Sequence, residues 1–353
     1  MKKLLVFLFI IIAHVANGQS VAKYSNEFMN IGVDAGAFGM GNAVVANIGD
    51  VNSGYWNPAG LVQLEDKQIA LMHSSYFANI ALYDYAAFAM PIDDRSAWGI
   101  SLIRFGVDDI LNTTQLIDSQ GNIDFNRISL FSAADYGITF SYARRMPVQG
   151  LNWGVNAKVI RRIIGDFASS WGFGFDFGLQ FRHDDWKFGL MARDITTTFN
   201  TWSIDEDLFN NVSDQIPTQD LPETTEITIP KLQFGVARSF TFNYDYTLTA
   251  EVDLNMRFAE TNDIISTSFA SVTPAVGLQF AYTDLVFLRA GVGNFQNENN
   301  FGSESLTFQP NLGIGFKYKG IQVDYALTDI GDQSAAVYSN VFSLKIDWSL
   351  FRR

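Results

Sequence analysis

The chain has 353 residues, with 24 Lys and Arg against 37 Asp and Glu, a formal net charge of −13, and no cysteine. Without cysteine there is no disulfide scaffold and no thiolate metal site, and the acidic balance argues against nucleic acid as a partner, which demands basic patches. The three histidines, His14, His73 and His183, stand far apart in sequence, so no catalytic set, metal or cofactor is expected.

In chain order the first feature is a secretory signal. Lys2 and Lys3 precede an apolar run from Leu4 to Val15, and Ala16-Asn17-Gly18 gives a small-residue cleavage site before Gln19. The run is too short for a membrane-spanning helix. Residues 1–18 are therefore expected to leave the mature chain, an uncleaved anchor being the alternative.

Residues 19–66 come next and carry little sheet character. They include Phe38-Gly-Met-Gly41, which resembles a phosphate loop only superficially because no Lys-Ser/Thr pair follows. They also include the compact stretch DVNSGYWNPAGL, Asp50 to Leu61. Asn57-Pro58 forces a turn, since the residue before proline is pushed out of the α region. Trp56 is a large amphipathic anchor just ahead of it. Asp50, Asn52, Trp56, Asn57, Pro58 and Gly60 are the candidate motif of a plug that folds back into whatever follows. A disordered tail is the alternative.

From residue 67 to 353 the periodicity is two. Phe173, Phe175, Phe177, Leu179 and Phe181 alternate with Gly172, Gly174, Asp176, Gly178, Gln180 and Arg182, and the run from Tyr246 to Phe258 behaves alike. Strict alternation over such lengths is strand rather than helix. Runs of this kind cover about 67–77, 80–91, 95–105, 136–146, 151–163, 171–182, 185–194, 231–240, 245–258, 273–283, 285–293, 310–318, 320–330 and 340–350, which makes fourteen. Most are near the length that a tilted strand needs to cross a bilayer.

Tight turns at Asp93-Asp94, Pro147 to Gly150, His183-Asp184, Phe242-Asn243, Thr283-Asp284 and Lys319-Gly320 alternate with longer links, the short first hairpin near Ala78-Asn79 being the exception. That rhythm matches outer-membrane barrels, which have short periplasmic turns and longer outer loops. Lys158, Asp176, Arg182, Glu251, Asp253, Arg257, Asp324, Lys345 and Asp347 recur on the otherwise small, polar face. In a dry soluble core they would be costly, whereas a polar lumen accepts them as a charge network. The expected fold is all-β: a 14-stranded antiparallel transmembrane β-barrel with an N-terminal plug segment, surrounded by outer-membrane lipids. A secreted sandwich or propeller would also alternate. Fourteen strands leave a lumen that needs filling, because about eight already fill their own interior; the plug answers that need.

Two links are long, about 106–135 and 195–230. The second contains Asp205, Glu206, Asp207, Asp214, Asp220, Glu223 and Glu226 and neither Lys nor Arg. Ile110, Leu111 and Phe125 in the first, and Phe199, Trp202, Leu208 and Phe209 in the second, are candidate partner-binding residues, since aromatics on long loops anchor partners. A solvated acidic cap is the plainer alternative, and neither loop has the spacing of an EF-hand.

The pieces Asp50 to Leu61, Phe105 to Ile110, Ser132 to Arg145, Leu151 to Lys158, Ile164 to Ser169, Phe175 to Gly178 and Met191 to Trp202, in this order, resemble the PorV/PorQ family of Bacteroidetes outer-membrane proteins. The segment Asn57-Pro-Ala-Gly60 ahead of a fourteen-strand barrel also resembles the FadL-like long-chain fatty-acid transporters. The first resemblance implies a non-enzymatic role in type IX secretion, with the translocon and cargo bearing a C-terminal sorting domain as partners. The second implies transport of hydrophobic small molecules.

Overall fold

The computed structural model describes residues 25–76, 80–117, 120–206, 208, 224–300, 303–328 and 339–348. The expected signal peptide and Phe209 lie outside them. The first half of the wall consists of β1 (Gln68–Tyr76), β2 (Ala81–Asp93), β3 (Ser96–Asn112), β4 (Ser129–Arg145), β5 (Leu151–Ile164), β6 (Ala168–His183), β7 (Trp186–Arg193), β8 (Thr198–Ile204) and β9 (Thr225–Thr228). The second half consists of β10 (Lys231–Phe242), β11 (Tyr246–Arg257), β12 (Ile265–Ser266), β13 (Ser271–Tyr282), β14 (Val286–Asn300), β15 (Ser303–Tyr318), β16 (Ile321–Thr328) and β17 (Ser339–Asp347).

Every pairing is antiparallel between near neighbours, and β1 pairs with both β2 and β17, so the sheet closes on itself. Of the 17 strands, β8, β9 and β12 pair above the ring rather than within it, which leaves 14 in the barrel. Closure leaves no unpaired edge in the membrane, the condition for a sheet to cross lipid. The aromatic rows point outward: Phe173 and Phe175 are 58% and 50% exposed, while Asp176 and Gln180 on the opposite face of β6 are buried. The hairpins Thr283-Asp284 and Lys319-Gly320 place both residues at positive φ, the type I′ geometry whose twist matches the strands it joins.

The two long connections are shorter than alternation suggests. β3 runs on to Asn112 and β4 begins at Ser129. A register shift between Val107 and Ile110, where Asp108-Asp109 interrupts the alternation, hides that extension. Within 195–230, β8 pairs with the outer end of β6 and β9 pairs with β8. Thus β7 and β8 act as one strand broken at residues 194–197, where Asp194 and Thr197 both take positive φ. The break turns Asp194 inward to be buried and leaves Ile195 on the outside, 48% exposed.

Inside the ring, residues of the N-terminal segment occupy the lumen. Residues 25–66 form four short helical turns, Glu27–Asn30, Ala35–Gly39, Ser53–Trp56 and Pro58–Gln63. These pack inside the ring, and Val33, Phe38, Val45 and Leu61 rank among the most buried side chains of the chain.

Candidate functional site

The plug is held through the motif singled out in its sequence. Pro58 starts the helical turn Pro58–Gln63, and the Asn57 carboxamide oxygen accepts from the Ala59 amide at 3.2 Å. The Asn57 amide donates to the carbonyls of Val45 and Leu179, each at 3.0 Å. One side chain thus caps its own turn and ties two plug segments to the wall. Trp56 donates from Nε1 to the Val33 carbonyl at 2.9 Å, and Tyr55 donates to the Met29 carbonyl at 2.8 Å. Asn52 is fully buried, with its backbone amide on Asp50 at 2.9 Å. Gly60 sits where a Cβ would meet the Ile48 carbonyl oxygen at 2.5 Å, so only glycine fits that crossing.

The inward charges fall into separate groups with different tasks. On β11, Asp253 accepts from the backbone amides of Val44 and Val45 at 2.9 and 3.1 Å, and Glu251 accepts from Ala46 at 2.6 Å. Successive amides of one bend make a concave anion seat, here filled by wall carboxylates. Both acids, expected as members of a lumen charge network, are buried, and the partners found for them are plug backbone amides.

At the periplasmic side Lys345 of β17 reaches Asp50 at 2.9 Å and Asp34 at 3.4 Å in the plug, and Asp324 of β16 at 3.9 Å. Arg289 of β14 completes the group with a 2.6 Å contact to Asp324. Burial alone would raise the Asp34 carboxyl, but Lys345, Arg289 and the Ser343 hydroxyl together hold it below its ordinary value. Asp347 takes the Gln68 amide at 2.6 Å at the rim.

The third group sits at the broken strand. Lys158 of β5 lies 2.7 Å from Asp176 of β6 and 2.5 Å from Asp194. The buried Arg193 beside it donates to the Tyr55 carbonyl at 2.9 Å and stacks over the Tyr55 ring. Arg182 lies apart from these groups near the tight turns, where its backbone amide donates to Gly150. Arg257 pairs in register with Lys231 on the outer part of the wall. The structure therefore brings Lys158 and Asp176 together, Asp324 and Lys345 together, and Glu251 and Asp253 together. Sequence reasoning missed Asp34, Arg193 and Asp194. Asp34 and Asp194 stand in the sequence as isolated acids, the second at a break between strands.

Opposite the tight turns, a cavity of about 530 Å³ opens above the plug, bounded by Leu111, Phe131, Ile164, Phe167, Trp202 and Leu208. Trp202 pairs with the buried Ser170 across β6 and β8, which puts its side chain on the inward face. Below it Arg162 contacts Asp135 at 2.9 Å and Glu226 at 3.1 Å, with its guanidinium 5.1 Å from the Trp202 ring centre. Ser25 of the plug donates to Glu226 at 2.9 Å, so this ion group is the floor of a vestibule. Of the other candidate loop residues, Ile110 lies on the extended β3, while Phe125 and Phe199 are 72% and 55% exposed and point away from the cavity. Among the described residues no cluster of acids and histidines could hold a metal ion.

A closed, plugged barrel of this strand number defines an outer-membrane protein with the fold of FadL-type transporters. The toluene transporter TodX of Pseudomonas putida is similar in structure, with a TM-score of 0.56 and 13% identity over 90% of this chain and 99% of that one. The CymD monoaromatic hydrocarbon channel gives 0.55 at 12% identity over 90% and 98%, and a Pseudomonas aeruginosa FadL homologue gives 0.51 at 13% over 90% and 98%. At such identities the likeness is one of fold. No curated protein matches the sequence. The family model for type IX secretion system protein PorV matches residues 14–263. The chain belongs to the PorV family, and fold and family together place it in the outer membrane, in association with type IX secretion.

Proposed function

We propose that this chain is a non-conducting, non-enzymatic barrel that serves type IX secretion by holding a protein at its outer mouth. The partner is the translocon or a secreted cargo with a C-terminal sorting domain. The observation that carries this reading is the distribution of space. Among the described residues the plug packs inside the ring with cavities of about 190 and 30 Å³ beside it, and a cavity of about 530 Å³ lies on its outer side. A protein that binds at its mouth needs the vestibule and has no use for a path through the wall.

Transport of a hydrophobic small molecule is the second reading. The apolar lining of the vestibule and the fold shared with a toluene transporter support it. The two separate in reconstituted membranes. Planar bilayers containing the full chain are expected to show no steady conductance, and proteoliposomes are expected to take up toluene or decanoate no faster than empty vesicles. Saturable uptake of either solute would overturn the binding reading in favour of transport.

A further inference from the structure

The vestibule carries more information than its volume. Rested on the reading that the outer mouth binds protein, it specifies what kind of segment fits. Its lining includes Asp205 and Glu226 and neither Lys nor Arg. Asp135 and Glu226 share Arg162 and Asp205 stands in the lining, so among the described residues the site carries three acids against one base. A ligand with a cationic group offsets that excess, and an uncharged hydrocarbon does not.

A second, independent observation concerns Trp202. Its indole N–H is buried and has no hydrogen-bond acceptor among the described residues. A buried donor left unpaired costs on the order of 1–3 kcal/mol, and a ligand carbonyl would relieve it. Toluene offers only the weak acceptor of its π face, and an alkyl chain offers none. The space is also of the size that takes a ligand of several groups, within the roughly 300–1,000 Å³ typical of binding clefts. Apolar walls, an acidic floor and a free indole donor together describe a site for polypeptide.

We propose that the vestibule binds an extended peptide segment of a partner protein. A bulky apolar side chain seats among Leu111, Phe131 and Trp202, an adjacent lysine or arginine faces Glu226 and Asp205, and a backbone carbonyl accepts from the Trp202 indole.

The test uses the full chain in lipid nanodiscs, which keeps detergent tails out of the cavity. Three fluorescein-labelled octapeptides differ only at a central pair, Phe-Lys, Phe-Glu or Ser-Lys, and binding is read by anisotropy. The Phe-Lys peptide is expected to bind at least about tenfold more tightly than either other peptide. Trp202→Phe, which keeps the ring and removes the donor, should weaken it several-fold. Glu226→Gln should weaken the Phe-Lys peptide and leave the Phe-Glu peptide unchanged. Because Glu226 also contacts Arg162 and Ser25, Leu111→Ser on the opposite wall serves as a second variant, with heat-modifiable migration in gels reporting an intact barrel. Equal binding of all three peptides, or none by any, overturns the proposal, as does competition by toluene that both variants ignore. Failure here is distinguishable from failure of the parent reading. If wild-type protein still co-purifies with type IX components while no peptide binds, only the vestibule assignment falls. If it captures none of them, the parent reading falls.

Discussion

Asn57 in the plug and Leu179 in β6 stand 122 positions apart, and the Asn57 amide donates to the Leu179 carbonyl at 3.0 Å. The same amide serves Val45, and the carboxamide oxygen caps Ala59. Asn57→Ala would remove these ties between plug and wall, at about 0.5–1.5 kcal/mol for each hydrogen bond lost. The expected result is an intact barrel with a loosened plug. Bilayer recordings should show intermittent openings absent from wild type, and a urea midpoint lowered in the plug before the wall.

Lys345 is the cation shared by Asp34 and Asp50. Lys345→Met removes it and leaves Asp34 buried without its nearest base, a loss of about 3 kcal/mol when one partner of a buried pair is deleted. Lys345→Arg keeps the charge and should retain most of the stability. Thermal unfolding in detergent, followed for all three proteins, checks the order wild type, Arg, Met.

The wall leaves no room for a side chain where it meets the turn at Pro58. A Cβ on Gly154 would lie 2.5 Å from the Pro58 carbonyl carbon and 2.6 Å from the Ala59 nitrogen, both backbone. Gly154→Ala should therefore displace the turn and lower the yield of folded barrel. Gly106→Ala is the control, since the atoms it would meet are the mobile end of Arg104. Gel migration before and after heating compares the two.

The pH response of the latch has a definite sign. The Asp34 carboxyl sits below its ordinary value of 3.8, so its contribution is fully present above that value and is lost as pH falls through the lower, folded-state value. Plug release, read as conductance, should be absent from neutral pH down to about 4 and appear only in more acidic solution. Asp34→Asn should be leakier than wild type at neutral pH and lose that part of the acid dependence.

Much of this arrangement is written in the sequence. Alternation marks the strands because each has one lipid face and one inward face, and the tight turns show as short polar breaks. The turn at Asn57-Pro58 is visible because proline restricts its neighbour. Other parts are invisible for physical reasons. The outer ends of β3 and β4 are obscured where Asp108-Asp109 shifts the register, and β8 and β9 are short strands inside an acidic stretch that resembles a solvated cap. Glu251 and Asp253 look like members of a lumenal charge ladder, but their partners are backbone amides more than 200 positions away. Composition cannot show a partner that is main chain.

A PorV-family barrel that works by holding protein rather than by passing solute should carry its partner with it. The most direct measurement is to tag the C-terminus, solubilise native outer membranes gently and identify by mass spectrometry what co-purifies. Recovery of a type IX translocon component, or of secreted proteins bearing a C-terminal sorting domain, is expected. A solitary barrel carrying bound fatty acid or aromatic hydrocarbon would contradict it.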